Sequence, residues 1–294
     1  AAAPESRAPL PMVLWLSGGP GISSSFGLLF ENGPCRLEGP TASGWRAHRN
    51  PWSWTNSAHV VWVDQPSGVG FSEGPNDVRD EAGVAEHMYS FLLSFYGHFQ
   101  DLLQAPLFIA GESFAGHFLP AIATKVLREA RGPGPAIQLS GIAMGNALVR
   151  PVEQLLTLPD MAWTGGGRNG SLGGGVVDER TYRWMSDAMV PCRTYALGCQ
   201  QRRDVNWCTQ AVYACFPPLI MPIWAKGLSP YNLRQACGPE LRPLCVNISL
   251  LTAFLNDQRV KESLGVNPAK PWTAFSINVA LRFTLSGDYF RRYD

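Results

Sequence analysis

The sequence is poor in the features that mark several large functional classes. Over 294 residues the formal net charge is only +1, with no basic stripe and no acidic tail. That removes the electrostatic footprint of a nucleic-acid or anionic-membrane binder, so neither partner is expected. No apolar run reaches the roughly 18 residues that span a bilayer. Ala1 to Pro11 lacks the charged-then-apolar order of a signal peptide, so the N-terminus reads as a cut or processed end. Internal repeats are absent. The five histidines are His48, His59, His87, His98 and His117, and none follows His117. With no zinc-type cysteine spacing either, neither a metal nor a cofactor is expected. What is abundant is apolar: 46% of residues are hydrophobic, enough for one large core or a core with a smaller insertion.

Cysteine is distributed unevenly. Cys192, Cys199, Cys208, Cys215, Cys237 and Cys245 cluster in a proline-rich stretch, and only Cys35 lies outside. Such a cluster predicts disulfides in an oxidising compartment. Asn-x-Ser sequons at Asn169 and Asn247 agree with a secretory route, to a lysosome or vacuole or to the extracellular space. Cys35 is left over, as a buried thiol or as the partner of a cysteine outside this chain.

Short apolar runs at Met12 to Leu16, His59 to Val63, Leu107 to Ala110 and Ile142 to Gly145 read as strands covered on both faces. Helical stretches lie between them. Val84, Met88, Phe91, Leu92, Phe95, Phe99 and Leu102 recur at three-and-four spacing within Val78 to Leu103, and Phe114 to Arg131 continues the pattern, with Pro120 predicting a kink or a tighter first turn. The alternation predicts an α/β fold built on a mostly parallel sheet with helices on both faces. After Pro151 the character changes. Seven glycines between Gly165 and Gly175 predict a flexible loop, and Pro217, Pro218 and Pro222 are expected to break any long element. Residues 1–150 thus read as the core, 151–249 as an inserted cysteine-rich lid, and 250–294 as a return to the core with helical register at Leu251, Phe254, Leu255 and Val260.

Two of the strands end in chemistry. Leu107-Phe-Ile-Ala-Gly-Glu-Ser113-Phe-Ala-Gly116 delivers a serine flanked by small residues, as at a strained strand-to-helix elbow that exposes a nucleophile. Ala115 replaces the glycine of strict G-x-S-x-G, and an ordinary strand-to-helix turn would look similar. Met12 to Leu16 leads into Ser17-Gly18-Gly19-Pro20-Gly21, a cluster able to turn backbone N–H groups inward or simply to make a tight turn. In an α/β-hydrolase arrangement the oxyanion would be held by the N–H groups of Phe114 and Gly19.

Leu14-Trp-Leu-Ser-Gly-Gly-Pro-Gly21, Glu31-Asn-Gly-Pro34, Asn50-Pro-Trp-Ser-Trp-Thr-Asn56, Val63-Asp-Gln-Pro-Ser-Gly-Val-Gly-Phe-Ser72, Gly111-Glu-Ser-Phe-Ala-Gly-His117 and Gly145-Asn146, together and in this order, resemble the serine carboxypeptidases. Phe254-Leu-Asn256, Val260-Lys-Glu262, Leu264-Gly265 and Ser286-Gly-Asp288 extend the resemblance toward the C-terminus. It implies that Ser113 is acylated, that Gly19 and Phe114 form the oxyanion hole, and that Ser17, Gly18, Glu31 and Glu112 bind the terminal carboxylate of a peptide or protein substrate. Ser17 stands where the family has Asn, Ile22 where cysteine is frequent and Phe114 where tyrosine is. Carboxyl groups bind a carboxylate only while they hold a proton, so the resemblance implies an acidic working range.

The resemblance also exposes an absence. The triad needs an aspartate and then a histidine after the serine. His117, one helical turn past Ser113, points along the helix face, and the family carries a histidine there in addition to a catalytic one. Asp64 matches a buried structural motif, and Asp288 and Asp294 fall just before the place of the family's aspartate. The chain reads as the interior of a serine carboxypeptidase, cut at both ends and inactive alone. Removing the triad histidine costs on the order of a millionfold in kcat. An acyltransferase and a non-catalytic binding or protective protein on the same scaffold remain as alternatives, and a homodimer is allowed.

Overall fold

The computed structural model describes residues 9–41, 44–132, 137–165, 174–242 and 244–291. Asn169, Asp294 and most of the glycine-rich stretch lie outside the described residues. The chain divides into two compact units: residues up to Ala147 with Leu250–Ala280, and Leu148–Ser249 with the residues from Leu281 on.

The first unit is built on a parallel sheet. β1 (Met12–Leu16) is buried at every position and lies centrally, because its five apolar side chains can be covered on both faces only there. After the antiparallel hairpin of β2 (Cys35–Thr41) and β3 (Gly44–Arg49), the chain returns as β4 (His59–Trp62) beside β1. β5 (Leu107–Glu112) pairs with the other side of β1, with Leu16 opposite Gly111, and β6 (Leu139–Gly145) follows it, giving the order β4-β1-β5-β6. Both β1 and β5 therefore end at one edge, the carboxyl edge where α/β sheets place their ligands. Coverage differs from the sequence expectation at the margins. β6 is exposed along most of its length, Ile142 and Met144 included, because nothing among the described residues pairs with its outer edge.

Helices flank the sheet. α1 (Glu81–His98) is capped by Asp80, whose carboxylate accepts from Gly83 N at 2.8 Å, and it buries Val84, Met88, Leu92 and Tyr96, one turn apart. α2 (Ala115–Glu129) runs unbroken through Pro120 and buries Phe118, Leu119, Ile122 and Val126.

The second unit contains α3 (Pro151–Leu155), α4 (Leu158–Thr164), α5 (Glu179–Arg202) and α6 (Val205–Ala225). Here the proline expectation fails: α6 continues through Pro217, Pro218 and Pro222. Each internal proline costs about 3 kcal/mol in an isolated helix. The disulfides Cys192–Cys215 and Cys199–Cys208 tie α5 to α6, and Cys215, Leu219 and Ile223 are buried along the same helix, which offsets that cost. A third bridge joins Cys237 to Cys245, so the six clustered cysteines are all paired. Cys35 is exposed, not a buried thiol.

α7 (Ile248–Asn256) and α8 (Gln258–Leu264) return to the first unit, and α9 (Ile277–Ser286) leads the chain back out of it. The residues from Leu281 on cluster with the second unit, although the sequence grouped them with the core. Phe290 is fully buried among Cys199, Cys208 and Leu219, contacts that sequence distance hides. No helix among the described residues is long and apolar enough to cross a membrane.

Candidate active site

β5 stops at Glu112, and α2 starts at Ala115. The turn between them forces Ser113 to φ 57°, a left-handed conformation that costs a side-chain-bearing residue about 1 to 3 kcal/mol. Neighbours hold it there. Ser113 N donates to Gly145 O at 3.0 Å, and Gly116 N donates back to Ser113 O at 3.0 Å. Gly111 must lack a side chain, since a Cβ would stand 2.3 Å from Leu16 O and 2.8 Å from Ala115 Cβ. Ala115, small though not glycine, satisfies the packing. Ser113 itself is only half-buried and so can be reached.

The loop after β1 lies directly against this turn. A Cβ on Gly18 would sit 2.4 Å from Phe114 N, 2.8 Å from Glu112 O and 2.8 Å from Ser113 Cβ. Gly19 follows at φ 112° and Gly21 at φ 101°, values that glycine alone adopts freely. Gly18 O accepts from Ile22 N, and the loop is tied along Ala274 to Ser276 by Ser23 N to Ala274 O and Ser276 N to Gly21 O, at 3.0 and 2.9 Å. Gly18, Glu112, Ser113 and Phe114 therefore meet at one point, with Ser17 and Gly19 adjoining in the chain.

Glu31 completes the cluster from the short helix Gly27–Glu31. Its carboxyl hydrogen-bonds that of Glu112; burial first, then the Glu112 charge and that hydrogen bond, push Glu31 up to about 8. Burial raises Glu112 too, and the bond from Glu31 only partly opposes that rise. Both carboxyls are thus pushed toward their protonated forms.

Beside them are buried polar atoms with no partner: Ser17 Oγ, Glu31 Oε2 and Trp15 Nε1. Trp15 Nε1 and Glu31 Oε2 converge, lying 2.4 and 3.2 Å from the point where a Gly27 Cβ would be. Trp15 was missed in the sequence. Trp15 reads as strand core, and its indole N–H was the only available signal.

The other sequence candidates have partners of their own. His117 Nδ1 lies 3.3 Å from Glu81 Oε1, both groups buried. Asp64 accepts from Ser23 Oγ at 2.6 Å, Ser24 N at 2.7 Å and Phe71 N at 3.3 Å. Burial raises it, and those bonds oppose the rise. Asp288 is buried in a short turn beside Arg291, 3.8 Å away.

The family model described as serine carboxypeptidase matches residues 2–291. The chain belongs to the serine carboxypeptidase family. Carboxypeptidase Y homolog A of Uncinocarpus reesii is 32% identical over 284 residues, covering 96% of this chain and 50% of that protein. The homolog of the same name from Paracoccidioides brasiliensis is 31% identical, with 96% and 49% covered. This serine carboxypeptidase chain thus spans about half the length of the curated relatives it matches. In fold it is similar to the crystal structure of Kex1(delta)p, a prohormone-processing carboxypeptidase from Saccharomyces cerevisiae, with a TM-score of 0.76 at 22% identity, covering 94% of this chain and 60% of that one.

Proposed function

We propose that the protein carrying this chain releases C-terminal amino acids from peptides through an acyl-enzyme at Ser113. Ser113 Oγ attacks the last peptide carbonyl and gives its proton to a base. The carbonyl oxygen, now negative, takes hydrogen bonds from the N–H groups of Phe114 and Gly19. Collapse expels the terminal amino acid, which leaves with that proton, and water then cleaves the ester. The observation that carries this reading is the contact of Gly18 with Phe114 beneath a positive-φ Ser113.

Exopeptidase specificity is assigned to the acidic cluster. Below about pH 8 the Glu31 carboxyl keeps its proton and can donate to a substrate carboxylate, with Trp15 Nε1 and Ser17 Oγ as further unpaired donors. Above that range the cluster repels the carboxylate, so activity falls as pH rises. Ser17 supplies a hydroxyl where an amide is usual. None of the histidines in the chain follows His117, and His117 is engaged by Glu81, so the 294 residues alone turn over peptides poorly. Three disulfides and an exposed Asn247 support a secretory location.

The test uses protein purified from its natural source. Fluorophosphonate labelling followed by peptide mapping should put the adduct on Ser113, and an N-blocked dipeptide should be cleaved while its C-terminal amide is spared. An adduct on another residue, or equal cleavage of acid and amide, would overturn the reading.

A further inference from the structure

The reaction proposed above leaves one buried titratable pair unused. Glu81 is the first residue of α1 and His117 stands in the first turn of α2; their side chains are 1% and 0% exposed. The imidazole also lies flat on the Phe114 ring, with centres 4.3 Å apart and planes within 14°, and Phe118 meets Phe114 edge-on at 5.2 Å. One chain of contacts therefore runs from α1 through His117 to Phe114, whose backbone N–H faces the Gly18 loop.

Packing α1 on α2 does not require polar groups. Burying a carboxyl and an imidazole together costs desolvation that apolar side chains of equal volume avoid. What the pair adds is direction, because a hydrogen bond at Nδ1 fixes the plane of the imidazole and the stack passes that orientation to Phe114. Tolerance at the other end of Phe114 is small, since Gly18 approaches its nitrogen with no room for a Cβ. A misplacement of about 1 Å at such a site can cost on the order of a hundredfold in rate.

We propose that Glu81 and His117 are positioning residues that hold Phe114, and with it the oxyanion donor on its backbone N–H, at the spacing the Gly18 contact demands. The proposal rests on the assignment of Ser113 and Phe114 given above. Both residues act through Phe114 and not on the reacting atoms.

The experiment compares the whole protein, expressed from its natural gene, with its variants His117→Phe, Glu81→Gln and, because His117→Phe leaves a buried carboxyl and can fail to fold, Phe114→Leu. Amide exchange over residues 111–118 reports the order of the elbow whether or not Ser113 reacts. Fluorophosphonate labelling of Ser113, followed over a range of probe concentrations, separates the maximal rate from half-saturation. Exchange at the elbow should speed up by about tenfold in His117→Phe and Phe114→Leu. The maximal labelling rate should fall by a similar factor with half-saturation unchanged. Glu81→Gln, which still accepts at Nδ1, should stay near wild type. In the double variant Phe114→Leu/His117→Phe the losses should not multiply, since both break the same stack. Unchanged elbow exchange in Phe114→Leu, or losses that multiply, would overturn the proposal. Absence of any Ser113 adduct in the wild type would instead remove the nucleophile assignment, while the exchange data still decide the positioning.

Discussion

Gly18 and Phe114 approach so closely that a single methyl group on the glycine would stand 2.4 Å from the Phe114 nitrogen. Two chain segments far apart in sequence are thereby joined without slack, at the one place where an oxyanion would need backbone donors. Gly18→Ala must push the loop off the elbow. Overpacking of this kind costs about 1 to 3 kcal/mol, and the expected outcome is a folded protein whose Ser113 is labelled at least tenfold more slowly. Labelling at the wild-type rate would mean that the contact has no part in the chemistry.

Glu31 carries a pH signature. Its folded carboxyl keeps its proton to about 8, against an ordinary value of 4.5 in the unfolded chain. Between those values the folded state binds more protons than the unfolded one, so stability falls as pH rises from about 4.5 and levels off above about 8. Glu31→Gln cannot titrate and should flatten that slope. Urea midpoints at pH 5, 7 and 9 read the effect directly, and an unchanged slope in the variant would place the proton elsewhere.

Asp64 fastens the segment after β1 to that around Phe71, accepting from Ser23, Ser24 and Phe71. Asp64→Ala leaves these buried donors unmet, at about 1 to 3 kcal/mol for each group. The expected result is a lower thermal midpoint together with faster amide exchange in residues 22–26. A midpoint within one degree of wild type would show that Asp64 is not a structural fastener.

Reduction should act on one unit alone. Cys192–Cys215 and Cys199–Cys208 close loops of 23 and 9 residues, each worth about 3 kcal/mol by chain entropy. Dithiothreitol should therefore raise amide exchange in α5 and α6 while β1 and β5 keep their protection. Equal loosening of both would mean that the two units do not unfold separately.

The site was legible where a short motif fixes the local backbone. Gly111 and Ser113 announce an elbow because few other residues fit it, and β1 and β5 declare themselves by apolar runs that only a central strand can bury. α6 was illegible for the opposite reason. Its three prolines argue locally against a helix, and the argument is lost to two disulfide cross-links and a buried apolar face that appear only once α5 is packed beside it. The β2–β3 hairpin was hidden because Arg36, Glu38, Arg46 and His48 make one face polar and Leu37 alone in β2 is buried on the other, and Trp45 ties it down, its indole donating to Asp257 at 3.0 Å. Pairing of the Glu31 and Glu112 carboxyls came from the family resemblance and not from spacing. Trp15, whose N–H converges with Glu31, differed from its apolar neighbours in the sequence by that N–H alone.

The most direct measurement is a crystal structure of the whole protein from its natural source after fluorophosphonate has reacted with it. The phosphonyl group should be bonded to Ser113 Oγ, with one oxygen at about 2.7 to 3.1 Å from both Phe114 N and Gly19 N. A phosphonyl oxygen turned to solvent, with both of those amides left without it, would contradict the account.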